Sequence, residues 1–192
     1  MSHLVFHVIA WLTLEPFFLI CGIPKEKRGI RHTEYFLVLT TFVLVMLIFV
    51  AQFWSSLGWV IVVLGNIRII QIISLNLNTV LFDVALIAEG TDSIKRARWH
   101  FVAIGFSFLD TVMIFAYLYQ FFDHRYGVLN QHSLGFFHYL YYSVMTITTI
   151  GYGDIHPVST LGQVLVMYEA VIALMFILFF VSGALARLHR HP

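Results

Sequence analysis

The sequence predicts an all-α transmembrane protein: about three spanning helices, followed by a two-helix unit that holds a short re-entrant helix between its members. Three observations lead there. Of 192 residues, 60% are hydrophobic and only 11% charged, with mean hydropathy +0.87, which is too apolar for a soluble chain of this size. Runs of about 20 mostly apolar residues, the length that crosses a hydrocarbon layer, recur along the chain. Lys and Arg gather in three small clusters between those runs, as expected of short cytoplasmic loops.

In chain order, the first apolar stretch covers residues 3–23. It is read as retained and not as a cleaved leader. No Lys or Arg precedes its apolar part, Glu15 and Pro16 interrupt it, and Ile20 is not a small cleavage-site residue. The same Glu15 and Pro16 leave a span and an interfacial helix both open for it. Residues 34–54 and 57–75 give the second and third spans. Residues 76–94 are too polar to cross, with Asn76, Asn78, Asp83, Glu89 and Asp92. Leu77, Val80, Leu81, Val84, Leu86 and Ile87 provide an apolar side, so an amphipathic helix along the inner surface is expected there. The fourth span is 99–122 and the last is 161–186.

The basic clusters set the orientation. Lys25, Lys27, Arg28 and Arg31 form the first, Lys95, Arg96 and Arg98 the second, and Arg187 and Arg190 the third. With all three inside, two spans lie between each successive pair and the parity closes, with the N-terminus and residues 123–160 outside. Ser133 is a plausible N-cap for a helix from Leu134 to about Thr148, too short to cross and rich in aromatics at Phe136, Phe137, Tyr139, Tyr141 and Tyr142. Entering from outside and stopping midway, it would point its partially negative C-terminal end at the membrane centre. The organisation divides into an N-terminal region, 1–94, and a C-terminal unit, 95–192.

Several function classes are disfavoured. A formal net charge of +1, with charges in small clusters, offers no field for nucleic acid. The lone Cys21 allows no intrachain disulfide and no Cys-rich metal site, and is read as a small buried hydrophobe. The histidines expected outside (His124, His132, His138, His156) and inside (His100, His189, His191) lack ligand spacing, so no transition-metal site is expected; proton modulation through them is a hypothesis to test. No nucleophile elbow or phosphate loop marks an enzyme.

Between the re-entrant helix and the last span lies Thr148-Thr149-Ile150-Gly151-Tyr152-Gly153-Asp154. Gly151 and Gly153 are free to take φ > 0, so a short backbone run here is able to turn successive carbonyls to one side and hold a cation without any carboxylate. A lone Gly-Tyr-Gly would say little. With Pro157 after it, a short aromatic helix before and a long apolar helix beyond, the segment resembles the pore module of the tetrameric potassium-channel family, over roughly Trp99 to His191.

That resemblance implies specific roles. The Thr149 hydroxyl and the carbonyls of Thr149, Ile150, Gly151 and Tyr152, with Gly153 closing the strand, would form the ion-binding filter, while the Ile150 and Tyr152 side chains face away. Thr148, Asp154, Tyr141, Tyr142 and Met145 would support it, Asp154 as the aspartate that hydrogen-bonds to re-entrant-helix aromatics. Two departures stand out: Met145 occupies a position where several relatives carry a carboxyl partner, and tyrosines replace common tryptophans. Both bear on slow filter inactivation, not on selectivity. One strand cannot surround an ion, so a homotetramer is expected, consistent with closed symmetry as the norm. By family spacing Leu174, Ile177, Val181 and Leu185 line the inner path, as candidates for a gate near Val181 to Leu185 that closes by dewetting; packing between helices is an equal alternative for each. Ala173 stands where many relatives have a hinge glycine, leaving Gly183 as the flexible point.

Three charged residues fall inside spans. Arg68 is followed at three-residue spacing by Gln71 and Ser74, so a voltage-sensing series survives with one charge, and Arg68 is expected to pair with an inner acid such as Asp83 or Glu15. Asp110 and Glu169 are intramembrane acids, and Glu169 is expected to pack, hydrogen-bonded or protonated, behind the filter. The expected function is a potassium-selective channel subunit of the small prokaryotic ion-channel type, multi-pass in the plasma or inner membrane. Its partners would be potassium, lipid and itself, with no cofactor, no nucleic acid and no cytoplasmic regulator. A non-conducting accessory subunit is the alternative.

Overall fold

Backbone groups in an apolar run have no water to bond to and close on themselves as helix. The computed structural model describes residues 30–78, 93–131 and 134–188, and among them the chain is all-helical. The helices are α1 (Ile30–Ala51), α2 (Gly58–Asn78), α3 (Ser93–Tyr126), α4 (Phe136–Ile147) and α5 (Thr160–Leu188), with a single 3-10 turn at Ser55–Leu57. Among the described residues two segments are long and apolar enough to cross a membrane, Ile104–Tyr126 in α3 and Thr160–Val181 in α5. The apolar runs inside α1 and α2, Leu39–Ala51 and Gly58–Ser74, are shorter. The expected first span, 3–23, lies outside the described residues, as does most of the amphipathic element at 76–94.

α3 is the hub, packing against α1 and α2 on one side and α4 and α5 on the other. Its residues Ile114 to Tyr119 are buried on every face, which a helix permits only when other elements surround it. The α1–α2 turn is closed by Gln52 and Phe53 amides donating to Phe49 and Val50 carbonyls. Exposed Phe53, Trp54 and Trp59 gather at this turn, the aromatic composition favoured at a membrane–water boundary.

α2 lies close against α3. A Cβ at Gly65 would sit 3.0 Å from Ile114, so the backbone of α2 nearly touches that side chain. One turn on along each antiparallel helix, Arg68 meets Asp110. Arg68 Nε and Nη2 donate to Asp110 Oδ2 at 3.0 and 2.8 Å, and the Thr41 hydroxyl of α1 donates to the same oxygen at 3.0 Å. This corrects the expected pairing of Arg68 with Asp83 or Glu15: the axial register of α2 on α3 brings it to Asp110, and both side chains are buried.

Other boundaries move for local reasons. Asn76 was expected to end the third span, yet α2 continues to Asn78; the Asn76 amide donates back to the Ile72 carbonyl at 2.8 Å, which hides its polarity within the helix. α4 starts at Phe136, not Leu134. Its N-cap is Gly135, at φ −71° and ψ 158°, with the His138 amide donating to the Gly135 carbonyl; Ser133 lies outside the described residues.

α5 begins under a paired stretch of backbone. Val158 N–H donates to the Val128 carbonyl, Asn130 N–H to the His156 carbonyl, and Leu129 bridges Pro157 in antiparallel fashion. Gly162, in the first turn of α5, sits directly beneath. A Cβ there would lie 2.5 Å from the Val128 carbonyl oxygen and 3.1 Å from Pro157 Cβ. Because the obstacle is backbone already held in that pairing, Gly162→Ala is expected to destabilise by about 1–3 kcal/mol, measured as a lower midpoint in thermal unfolding followed by circular dichroism in detergent.

Candidate functional site

The site is built from the C-terminal end of α4. A helix leaves its last carbonyls without intrahelical donors, and here the following segment supplies them. Thr148 N–H and its hydroxyl both donate to the Val144 carbonyl, Thr149 N–H donates to Thr146, and the Ile150 and Gly151 amides both donate to Met145. The segment from Thr148 to Gly151 is thus hung on the last turn of the helix. Met145, expected as a support, contributes through its carbonyl oxygen.

Beyond the helix, φ is positive at every second residue: 59° at Thr149, 53° at Gly151 and 80° at Gly153. A β-strand alternates its carbonyls between two sides. Alternation of left- and right-handed residues instead sets successive carbonyls along one side. Thr149 is the only non-glycine residue with positive φ among those described, a conformation costing roughly 1–2 kcal/mol that persists where the surroundings hold it.

Residues 148–154 are all exposed in one chain, Tyr152 at 72% and Ile150 at 52%, so much of both side chains is left uncovered by the rest of the chain. Asp154 accepts a hydrogen bond from the Tyr141 hydroxyl at 3.0 Å. Tyr142 takes a different place from that expected of it. It is buried, with its ring edge-on to Tyr119 at 4.8 Å, because successive helical residues project about 100° apart and only one of the pair is able to face Asp154.

Sequence reasoning missed the clamp on the outer side. Asn130 Nδ2 and Gln131 Nε2 both donate to the Asp154 carbonyl, at 3.0 and 3.2 Å, and the His156 amide donates to Asn130 Oδ1. The His156 ring nitrogen Nδ1 lies 3.2 Å from the Gly153 carbonyl oxygen. At the base of this clamp Asp123, in the last turn of α3, is only 4% exposed; it accepts from Leu129 N–H and from the Tyr139 hydroxyl, both at 2.8 Å. The signal was present, since an acid at the end of an apolar run calls for a partner, but nothing in the order of residues identifies Leu129 and Tyr139. Asp123→Ala would leave a buried amide and a buried phenol without an acceptor. It is expected to cost about 2–4 kcal/mol in urea unfolding, with Asp123→Asn less damaging because one acceptor oxygen remains.

Glu169, expected as a packed, hydrogen-bonded group, is fully buried on α5. Its Oε2 accepts from the Tyr119 hydroxyl of α3 at 2.6 Å and its Oε1 from the Ser143 hydroxyl of α4 at 2.5 Å. Further along α5, Ala173 is buried, while Leu174, Ile177 and Val181 are exposed along one side. α5 runs unbroken through Gly183 and Leu185. Among the described residues no group of three His, Cys, Asp or Glu side chains is placed to hold a metal ion.

The arrangement is a stretch of backbone with positive φ at alternate residues, exposed in the single chain, suspended from a short helix and clamped outside. A family model described as an ion channel matches residues 107–189, from within α3 through α4 and the 148–154 segment to the end of α5. That segment, somewhat under half of the chain, is similar to ion channels. No curated protein and no solved structure matches the chain.

Proposed function

We propose that the chain is a subunit of a potassium-selective channel, in which four copies bring Thr149, Ile150, Gly151 and Tyr152 carbonyls, with the Thr149 hydroxyl, around a dehydrated potassium ion on a fourfold axis. The observation that carries this reading is the period-two positive φ at Thr149, Gly151 and Gly153, within a segment whose sequence is TTIGYGD. Carbonyl dipoles on one side replace a hydration shell without a fixed negative charge, which suits a monovalent cation passing through. The similarity of residues 107–189 to ion channels supports it.

Assembly into a homotetramer is supported by where apolar surface is left open. Of the two segments among the described residues that are able to cross a membrane, the most apolar stretch of Ile104–Tyr126 is 72% buried within the chain, whereas that of the more hydropathic Thr160–Val181 is 33% buried. The inner helix of a pore should be covered by neighbouring subunits and the cavity, and the outer helix by its own chain. Val164, Met167, Val171, Leu174, Ile177 and Val181 are the residues such an assembly covers or turns to the path. Leu174, Ile177 and Val181, with Leu185 below them, are bulky enough to gate by dewetting, Gly183 being the flexible point between.

Purified protein in liposomes tests the reading directly. Potassium flux well above sodium flux, with and without an imposed membrane potential, is the expected result. A tetramer on native electrophoresis that passes neither ion would replace it with the accessory-subunit reading. Equal fluxes of both ions would remove potassium selectivity.

A further inference from the structure

Met145 leaves the back of the filter without a carboxyl group of its own, and the outer hydrogen bond from Tyr141 to Asp154 is exposed. A second polar group approaches α4 from behind. Glu169 receives one hydroxyl on each carboxyl oxygen, Tyr119 from α3 and Ser143 from α4, in a fully buried setting. Ser143 immediately precedes Val144, Met145 and Thr146, whose carbonyls hold the amides of Thr148, Ile150, Gly151 and Thr149. The connection from α5 to the ion-binding backbone therefore passes through one side chain and one helical turn.

We propose that Glu169 is a positioning residue for the filter: through Ser143 and Tyr119 it fixes the end of α4 to α3 and α5, and so sets how long the filter keeps its conducting shape. The proposal rests on the channel reading for what the filter does. The brace itself rests on geometry. Both hydroxyls are buried, and removing the carboxyl group leaves each without an acceptor, which frees α4 to shift. About one turn along α5 from Glu169 stand the buried Ala173 and, beside it, Leu174 on the exposed side of the helix. A displacement of α5 there is transmitted to α4 by the same carboxyl group, which links the inner helix to the filter.

The test uses the full chain in lipid nanodiscs and compares wild type with Glu169→Leu, Glu169→Gln, Ser143→Ala and Tyr119→Phe. Hydrogen exchange is measured at the amides of residues 148–151 and, as an internal control, at residues 112–118 of α3. Glu169→Leu is expected to raise exchange in 148–151 about tenfold, and Ser143→Ala several-fold, with α3 protection unchanged. Glu169→Gln, which keeps an acceptor oxygen, should restore most of the protection. In planar bilayers the same order should appear as shortened open bursts, with the deficit largest at low external potassium, where fewer ions hold the filter open. Unchanged exchange at 148–151 in Glu169→Leu and Ser143→Ala overturns the proposal. So does a rise that is equal in α3, which would mean general loosening. If wild-type protein carries no potassium current, the channel reading fails while the exchange comparison still decides the brace.

Discussion

Gly151→Ala is expected to abolish potassium-selective flux while leaving the helical scaffold folded. Gly151 holds φ at 53°, and no atom within the subunit lies within 4 Å of where its Cβ would stand, so the effect is conformational and not steric crowding inside one chain. An alanine in the left-handed region costs roughly 1–2 kcal/mol, and in the proposed tetramer that strain would be repeated four times around one ion path. The cheapest relief is to return φ to negative values, which breaks the alternation and turns a carbonyl out of the row. Flux of potassium against sodium in liposomes reads the loss, and helical circular dichroism with the tetramer band on a gel reads the scaffold. Gly153→Ala should act in the same direction more weakly, because the Gly153 carbonyl is already drawn toward His156. Undiminished potassium selectivity in Gly151→Ala would end the claim that this backbone row coordinates the ion.

Asp110→Ala is expected to destabilise the subunit by roughly 3–5 kcal/mol, because it leaves the buried Arg68 guanidinium without its carboxylate. Arg68→Leu should cost about as much, by stranding Asp110, whereas the double variant Arg68→Leu with Asp110→Leu should recover most of the loss, since two apolar groups need no partner. Chemical unfolding in micelles across this cycle measures the pair. The same magnitudes decide whether α2 is a voltage sensor. A 100 mV membrane potential acts on one charge with about 2.3 kcal/mol at most, less than the roughly 3–5 kcal/mol that separating the pair requires. The pair wins, so Arg68 stays seated on α3 and conductance should vary little with voltage. A steep conductance–voltage relation that flattens when Arg68 is neutralised would show the opposite ordering.

Among the described residues the helices were legible in the sequence to within a turn or two at each end, and some of the deviations have local causes. α2 overran its expected end because Asn76 bonds back to Ile72, which a count of polar residues does not foresee. α4 began late because Gly135 and not an earlier hydroxyl residue caps it. The candidate site was legible as a motif, and Tyr141 reaches Asp154 in the manner the resemblance implies. Tyr142 looked equivalent and is not, since helical rotation sends it toward Tyr119.

What the sequence determined by itself is local: apolar runs long enough to force helix, and glycines at every second position where the backbone must reverse its handedness. Those properties belong to neighbouring residues and survive without knowing the fold. Only the tertiary structure decided which buried polar groups meet. Arg68 and Asp110 are 42 residues apart, Tyr119 and Glu169 are 50 apart, and Asp123 reaches Tyr139 across a turn. Their encounters depend on the axial offset and rotation of one helix on another, which side-chain packing along the whole interface sets and no single stretch of sequence encodes.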